Sequence, residues 1–478
     1  MLGTLKKEKK EMSKNLVYGI HDKPNFSKLI VFAIQQLLAI MAATIAVPAI
    51  VGNGMSASAA LFGAGVGTLV YQIFTKFRSP VFLGSSFAFI GSMVAAFAGA
   101  ASMKLGYLGL ILGAAFAGLV YVILAIVVKL VGVKWINKIM PAAVIGPTVA
   151  IIGLSLAGAA INDVFSYGAK DGNSAFIMNG NLWVSLICAL VTLFVVVLCS
   201  TYGKKMTKLI PFIIGILAGY AVGLVFTVVG YVAGIDALKI IDFAPFQALV
   251  DGGVGVKTFF AVPEFAFMNA IEGLKDLDAG YLATVAVAYI PVAFVVFAEH
   301  IADHKNLSTI VDQDLLEDPG LHRTLLGDGV GSIAGAVFGG CPNTTYGESV
   351  GCVAITRNAS VATITTTAIM AILISFLSPF VAFLDSIPGC VMGGVCITLY
   401  GFIAVSGLKM IQKVNLEDNA NLFTVSVILI AGIGGMAMSI GKVTITAIAC
   451  ALILGIIVNV VLNKFKKTPE AENKAEEE

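Results

Sequence analysis

The sequence predicts an all-α polytopic membrane protein whose fourteen transmembrane segments form two inverted repeats of seven. Three observations predict it: charge is scarce, apolar runs follow one another along the whole chain, and short motifs of the first half return in order in the second. Of 478 residues, 58% are hydrophobic and 12% charged, about half the charged share of soluble domains. The mean hydropathy is +0.96. Segment after segment reaches the ~18–20 apolar residues that cross a hydrocarbon core.

The first 28 residues, MLGTLKKEKKEMSKNLVYGIHDKPNFSK, are polar and basic. They lack the short apolar core and small-residue cleavage site of a signal peptide, and read as a cytoplasmic tail. Apolar runs then fall near 29–51, 58–75, 81–101, 107–131, 141–161, 181–200, 209–233, 283–302, 325–341, 343–356, 361–384, 388–408, 421–440 and 443–463. With the N-terminus inside and a crossing at every run, twenty-four of the thirty Lys and Arg fall on the inner side. Only Lys104, Lys170, Lys239, Lys257, Lys275 and Lys442 fall outside. Basic residues accumulate on the cytoplasmic side, so both termini are expected there. Two outer loops are long, about 162–180 and 234–282. The second contains PEFAFMNAIEGL, which suits an amphipathic helix lying at the surface. The tail at 464–478 is charged and expected to be disordered. The seven cysteines (188, 199, 341, 352, 390, 396 and 450) show no CxxC spacing and sit mostly among apolar residues. Buried free thiols are expected, not disulfides or metal ligands.

Three motifs recur. GAGVGTLV (63–70) returns as GDGVGSIA (327–334), SSF (85–87) as TTY (344–346), and PAAVIG (141–146) as PGCVMG (388–393). Each match alone is weak, because small-residue runs are common in membrane helices. The ordered set indicates duplication. Seven spans per copy is an odd number, so the copies have opposite orientations. Inverted repeats with a site at their midplane interface are a secondary-transporter architecture.

Acids are rationed: residues 23–162 contain no Asp or Glu. Against that background Glu299, in FAEHIADH (297–304), and Glu348, in CPNTTYGESVGCVAITR (341–357), stand at membrane depth. A charged group there marks a substrate or ion path by default. Glu299 and Asp303 are four apart and share a helix face, with His300 and His304 on neighbouring faces. A carboxyl group held away from water favours its neutral form, which suits one that loads and unloads protons. For Asp303 and His304 the plainer alternative is a place at the membrane edge beside Lys305. The SSF and TTY segments each follow a proline (Pro80, Pro342) and read as breaks in their helices. Non-helical backbone at this depth is tolerated only where it lines a cavity or is buried in protein. The half-helices starting near Phe87 and Gly347 would aim their amides into that cavity; ordinary kinks with packing roles are the alternative. FAEHIADH lacks the order of a zinc site, and GAGVGTLV lacks the strand–helix context of a nucleotide loop. Neither a nucleophile–base set nor a nucleic-acid patch is visible, which argues against an enzyme and expects neither a metal nor an organic cofactor.

These motifs resemble the nucleobase–ascorbate (nucleobase–cation symporter-2) transporters, and among them the bacterial uracil permeases. The resemblance runs from IQQLLAIMAATIAVP (34–48) through LGSSFAFI (83–90), FAEH (297–300), DPGLHR (318–323) and NTTYGESVG (343–351) to PGCVMGG (388–394), with the signature present as ESVGCVAITR (348–357). It implies a fourteen-span fold with short strands in segments 3 and 10. A core domain would comprise 29–140 (segments 1–4) and 283–385 (8–11). A gate domain would comprise 141–282 (5–7 and the outer loop) and 386–463 (12–14). It further implies that Glu299 and Glu348 hydrogen-bond a pyrimidine ring. Backbone at Phe87 and Gly347 would bind its carbonyls, Tyr346 would pack on it, and Tyr400 would lie on the gate side. Three positions depart from the family pattern. Asp303 stands where a histidine is usual, with His304 one step on; Ser349 replaces an Asn; and Gln35-Gln36 replaces Gln-His. The expectation is a proton-coupled uracil importer in the cytoplasmic membrane, with Glu299, Asp303 and His304 handling the proton. A xanthine or purine permease and an anion transporter or channel of the related fold are the alternatives. Family relatives can dimerise through the gate domain, which leaves a homodimer open.

Overall fold

A computed structural model describes residues 16–132, 135, 140–166, 168–204, 206–440 and 443–464. Long apolar stretches become helices because a helix satisfies its own backbone donors and acceptors where no water can. In the first half these are α1 (Phe26–Val51), α2 (Ala57–Phe74), the short β1 (Leu83–Ser85), α3 (Ile90–Ala98), α4 (Met103–Val131), α5 (Ala142–Ser155), α6 (Ala157–Val164), α7 (Gly180–Tyr202) and α8 (Pro211–Ala233). The second half brings α9 (Ala266–Gly273), α10 (Ala279–Val311), α11 (Leu321–Gly339), β2 (Asn343–Thr345), α12 (Gly347–Thr356), α13 (Val361–Ile374), α14 (Ser378–Asp385), α15 (Gly389–Ile411), α16 (Asn419–Ile433), the hairpin β3 (Met438–Ile440) and β4 (Val443–Ile445), and α17 (Ala447–Lys464). Side-chain oxygens of Asn25, Ser56, Ser102, Asn179 and Asp278 accept from first-turn amides, which sharpens five helix starts. Among the described residues nine helices are long and apolar enough to cross a membrane. The protein is a multi-pass membrane protein.

The repeated motifs meet each other. α2 and α11 cross where Gly67 and Gly331 oppose: a Cβ on either would stand 2.7 Å from the other's carbonyl oxygen. These are the same position of GAGVGTLV and GDGVGSIA. Only small residues allow backbones this close. The two broken segments also pair. β1 and β2 are antiparallel, with Leu83 opposite Thr345, Gly84 opposite Thr344 and Ser85 opposite Asn343. Ser86 N–H extends the ladder by donating to Pro342 O at 2.9 Å. α11 also packs on α4, while α15 packs along α5 and α7, and α8 along α7.

Several expected boundaries shift. The run at 361–384 is two helices, since Ser375–Leu377 turn and Pro379 opens α14. The run at 421–440 stops as a helix at Ile433, where Gly435 takes φ +70° and the chain enters the β3–β4 hairpin. The amphipathic segment in the outer loop forms α9. It docks on α4 through buried Ala266, Ala270 and Gly273, with Lys104 paired to Glu272. On the opposite side, residues 17–20 of the N-terminal segment hydrogen-bond the α12–α13 connector: Val17 N–H donates to Arg357 O at 2.8 Å and Ala359 N–H to Tyr18 O at 2.9 Å. The rest of that tail, residues 1–15, and the charged C-terminal residues 465–478 lie outside the described residues.

Candidate functional site

α10 runs unbroken for 33 residues, and its 3.6-residue turn sorts the four titratable residues of FAEHIADH onto two faces. Glu299 and Asp303 face a cavity of about 390 Å³. Gly347, Glu348 and Gly351 of α12 line it from one side, and Val149 of α5 with Ile403, Ser406 and Met410 of α15 from the other. Glu299, Glu348, Gly347, Val149 and Ile403 also border a smaller recess of about 40 Å³, closed by Phe87, Ala88, Thr344, Tyr346 and Ile152. The two spaces share these walls and form one path. It leads from the strand crossing to exposed Lys208 at the end of a short helix between α7 and α8.

Of the expected binding residues, Glu299, Glu348, Gly347, Phe87 and Tyr346 border these spaces, and Tyr400 borders neither. Tyr346 is buried, and its hydroxyl donates to Ser85 O at 2.7 Å, tying the end of β2 to the end of β1. Phe87 and Tyr400 meet edge to face, with centroids 5.9 Å apart. α12 begins at Gly347 with no side-chain cap. Its first-turn amides have no partner within the helix, and the first two residues of that turn, Gly347 and Glu348, border the recess. Asp303 is held by Thr345, whose Oγ1 donates to Oδ2 at 2.8 Å. Among the residues bordering the recess there is no Lys or Arg.

His304 lies elsewhere. It is fully buried on the back of α10 and lines neither space. Its Nε2 is 2.7 Å from the Tyr71 hydroxyl, and its Nδ1 donates to His300 O at 2.8 Å. The structure also brings forward a residue that the sequence did not single out, Asp328 of α11, which pairs with His300 at 2.7 Å. Asp328 was visible as the one acid in GDGVGSIA, at the position held by Ala64 in the first copy.

Two of the departures from the family pattern touch each other. Gln36 Nε2 donates to Ser349 Oγ at 2.5 Å, and the same oxygen accepts from Phe82 N–H at 3.0 Å. All three residues are buried. Ser349, next to Glu348, thus links α1, α12 and the approach to β1. Removing one partner leaves buried polar groups unpaired, at about 1–3 kcal/mol. Gln36→Ala and Ser349→Ala should each raise the KM for transported substrate about 5- to 30-fold. The double variant should be little worse than either single, because neighbouring residues couple. Fully additive losses in a double-mutant cycle would show that the contact plays no part.

Residues 27–441 match the Permease family. A uracil permease of Bacillus subtilis (strain 168) is 38% identical over 95% of this chain and 98% of its own length. A uracil permease of Bacillus caldolyticus is 36% identical over 93% and 94%. Among solved structures, the transmembrane domain of the cyanobacterial bicarbonate transporter BicA superposes with a TM-score of 0.57 at 15% identity, covering 93% of this chain and all of that one. That likeness concerns the fold. The match to the family over most of the chain and the likeness to named permeases show that the chain belongs to the permease family of nucleobase–ascorbate transporters.

Proposed function

We propose that this protein imports uracil together with a proton across the cytoplasmic membrane. The observation that carries the reading is the recess in which Glu299, Glu348 and the first amides of α12 converge. Uracil presents alternating N–H and C=O groups in one plane. Carboxylates accept from the former, helix-start amides donate to the latter, and Tyr346 offers a ring face. The relatives' names point to the same base. A binding site without a basic side chain does not suit an anion, so the bicarbonate transporter's substrate has no support here.

The chain is read as fourteen segments in two inverted repeats, both termini inside. Residues 29–140 and 283–385 form the core domain and 141–282 and 386–463 the gate domain. In that reading the site lies between Glu299 and Glu348 of the core and Val149, Ile403 and Tyr400 of the gate. The path ends at Lys208, on the side where basic residues collect, which corresponds to an inward-facing state. Alternating access moves the gate against the core. Glu299 takes the proton, and Asp303, braced by Thr345, assists from the same cavity.

The test is uptake of labelled uracil into proteoliposomes with an inward proton gradient. A proton moving down 100 mV releases about 2.3 kcal/mol, enough for roughly 50-fold accumulation of a neutral base. Accumulation abolished by a protonophore is the expected result. Uptake of xanthine without uracil would move the specificity to purines. Equilibration indifferent to the protonophore would overturn the coupling.

A further inference from the structure

Behind the substrate-facing side of α10 lies a second polar cluster with no opening to the cavity. His300 and Asp328 are 0% and 1% exposed, and His300 Nδ1 is 2.7 Å from Asp328 Oδ2. The other ring nitrogen, Nε2, is 2.9 Å from Thr324 Oγ1. That hydroxyl is in turn 3.0 Å from Leu321 O. The ring thus has a polar partner at each nitrogen, as a fully buried polar group requires. His304 stacks on the same ring at 4.1 Å between centroids, and Tyr71 in turn fixes His304.

Glu299 is the residue immediately before His300. The turn of α10 that carries it is gripped from two sides. In front Thr345 of β2 holds Asp303, and behind it Asp328 and Thr324 of α11 hold His300. An imidazole bonded at both ring nitrogens fixes the helix's rotation about its axis, and with it the direction of the neighbouring side chain. We propose that His300 and Asp328 are positioning residues that aim Glu299 into the substrate recess, acting from behind the helix without touching substrate. The idea rests on the proposed role of Glu299, and outer partners of this kind typically change affinity 10- to 100-fold when removed.

The test compares wild type, His300→Ala, Asp328→Ala, Asp328→Asn and the exchanged pair H300D/D328H in proteoliposomes. Two readouts are used: the KM and maximal rate for whichever of uracil and xanthine the wild type transports, and the rate at which dicyclohexylcarbodiimide modifies Glu299 and Glu348, followed by mass spectrometry. Each alanine variant should raise KM roughly tenfold or more. It should also change Glu299 modification several-fold and leave Glu348 modification unaltered. D328N, which keeps shape and an acceptor and guards against misfolding, should show the same shift in smaller degree. The exchanged pair should recover much of both. Unchanged KM and Glu299 modification in the folded variants, or equal changes at both glutamates, would overturn the proposal. A wild type that transports neither base would refute the substrate reading alone, since the modification readout needs no substrate.

Discussion

Glu299→Gln should convert the transporter into one that equilibrates its substrate slowly and accumulates none. Two effects combine. Glutamine can still accept from a ring N–H through its carbonyl oxygen, but as a neutral acceptor, so the bond loses its charge assistance in a recess of about 40 Å³. A hydrogen bond to a charged group is worth roughly 1.5–3 kcal/mol, which corresponds to about a 10- to 150-fold rise in KM. The second effect is on coupling. Gln does not take up a proton, so the gradient no longer acts through this side chain. Counterflow of labelled against unlabelled uracil at saturating concentration should persist, while gradient-driven accumulation falls to equilibrium. Glu348→Gln is the informative companion, because Glu348 borders the same recess without the proton role. It should lose affinity and keep accumulation. If Glu299→Gln still concentrates uracil against a gradient, the coupling proton binds elsewhere, with Asp303 the next group to replace.

The two glutamates were legible because a membrane chain keeps so few acids that each has to be accounted for. The two helix breaks were legible through their symmetry, since SSF and TTY recur at matching places; the short strands were implied only by the resemblance, and the structure pairs residues 83–85 with 343–345. Other features were hidden for a common reason. These helices are apolar almost all round, and without an apolar stripe the sequence does not say which face packs inward. His300 and His304 thus could not be assigned to the back of α10 from spacing alone. Asp328 was visible as the one acid in GDGVGSIA, but its pairing with His300 across two helices was not. The break between α13 and α14 and the early stop of α16 carry local signals, Ser378-Pro379 and Gly434-Gly435, that the apolar composition around them outweighed. α9 docks through Ala266, Ala270 and Gly273. Those residues are too small to register as an apolar face, and its larger apolar residues Met268 and Ile271 point outward.

Adding one methyl group to β1 should cut transport sharply without unfolding the protein. Gly84 lies under the ring of Tyr346, and a Cβ there would run into ring atoms Cε2 and Cζ. Neither side yields easily. The ring is buried and its hydroxyl is bound to Ser85 O at 2.7 Å. The strand is held from behind by Thr68, whose Oγ1 accepts from Leu83 N–H at 2.9 Å, and by Ser349, which accepts from Phe82 N–H. Overpacking of this kind costs about 1–3 kcal/mol, and the recess that Tyr346 borders offers open space. Gly84→Ala should therefore push the ring into the volume the base occupies. Uptake should fall by roughly the 5- to 150-fold that 1–3 kcal/mol represents, with membrane abundance near wild type. Gly91→Ala is the matched control, since nothing lies within 4 Å of its Cβ position in the half-helix just beyond; it should transport normally. Normal transport by Gly84→Ala as well would mean that the strand crossing moves freely under Tyr346, and the site would then be shaped by the substrate instead of being built in advance.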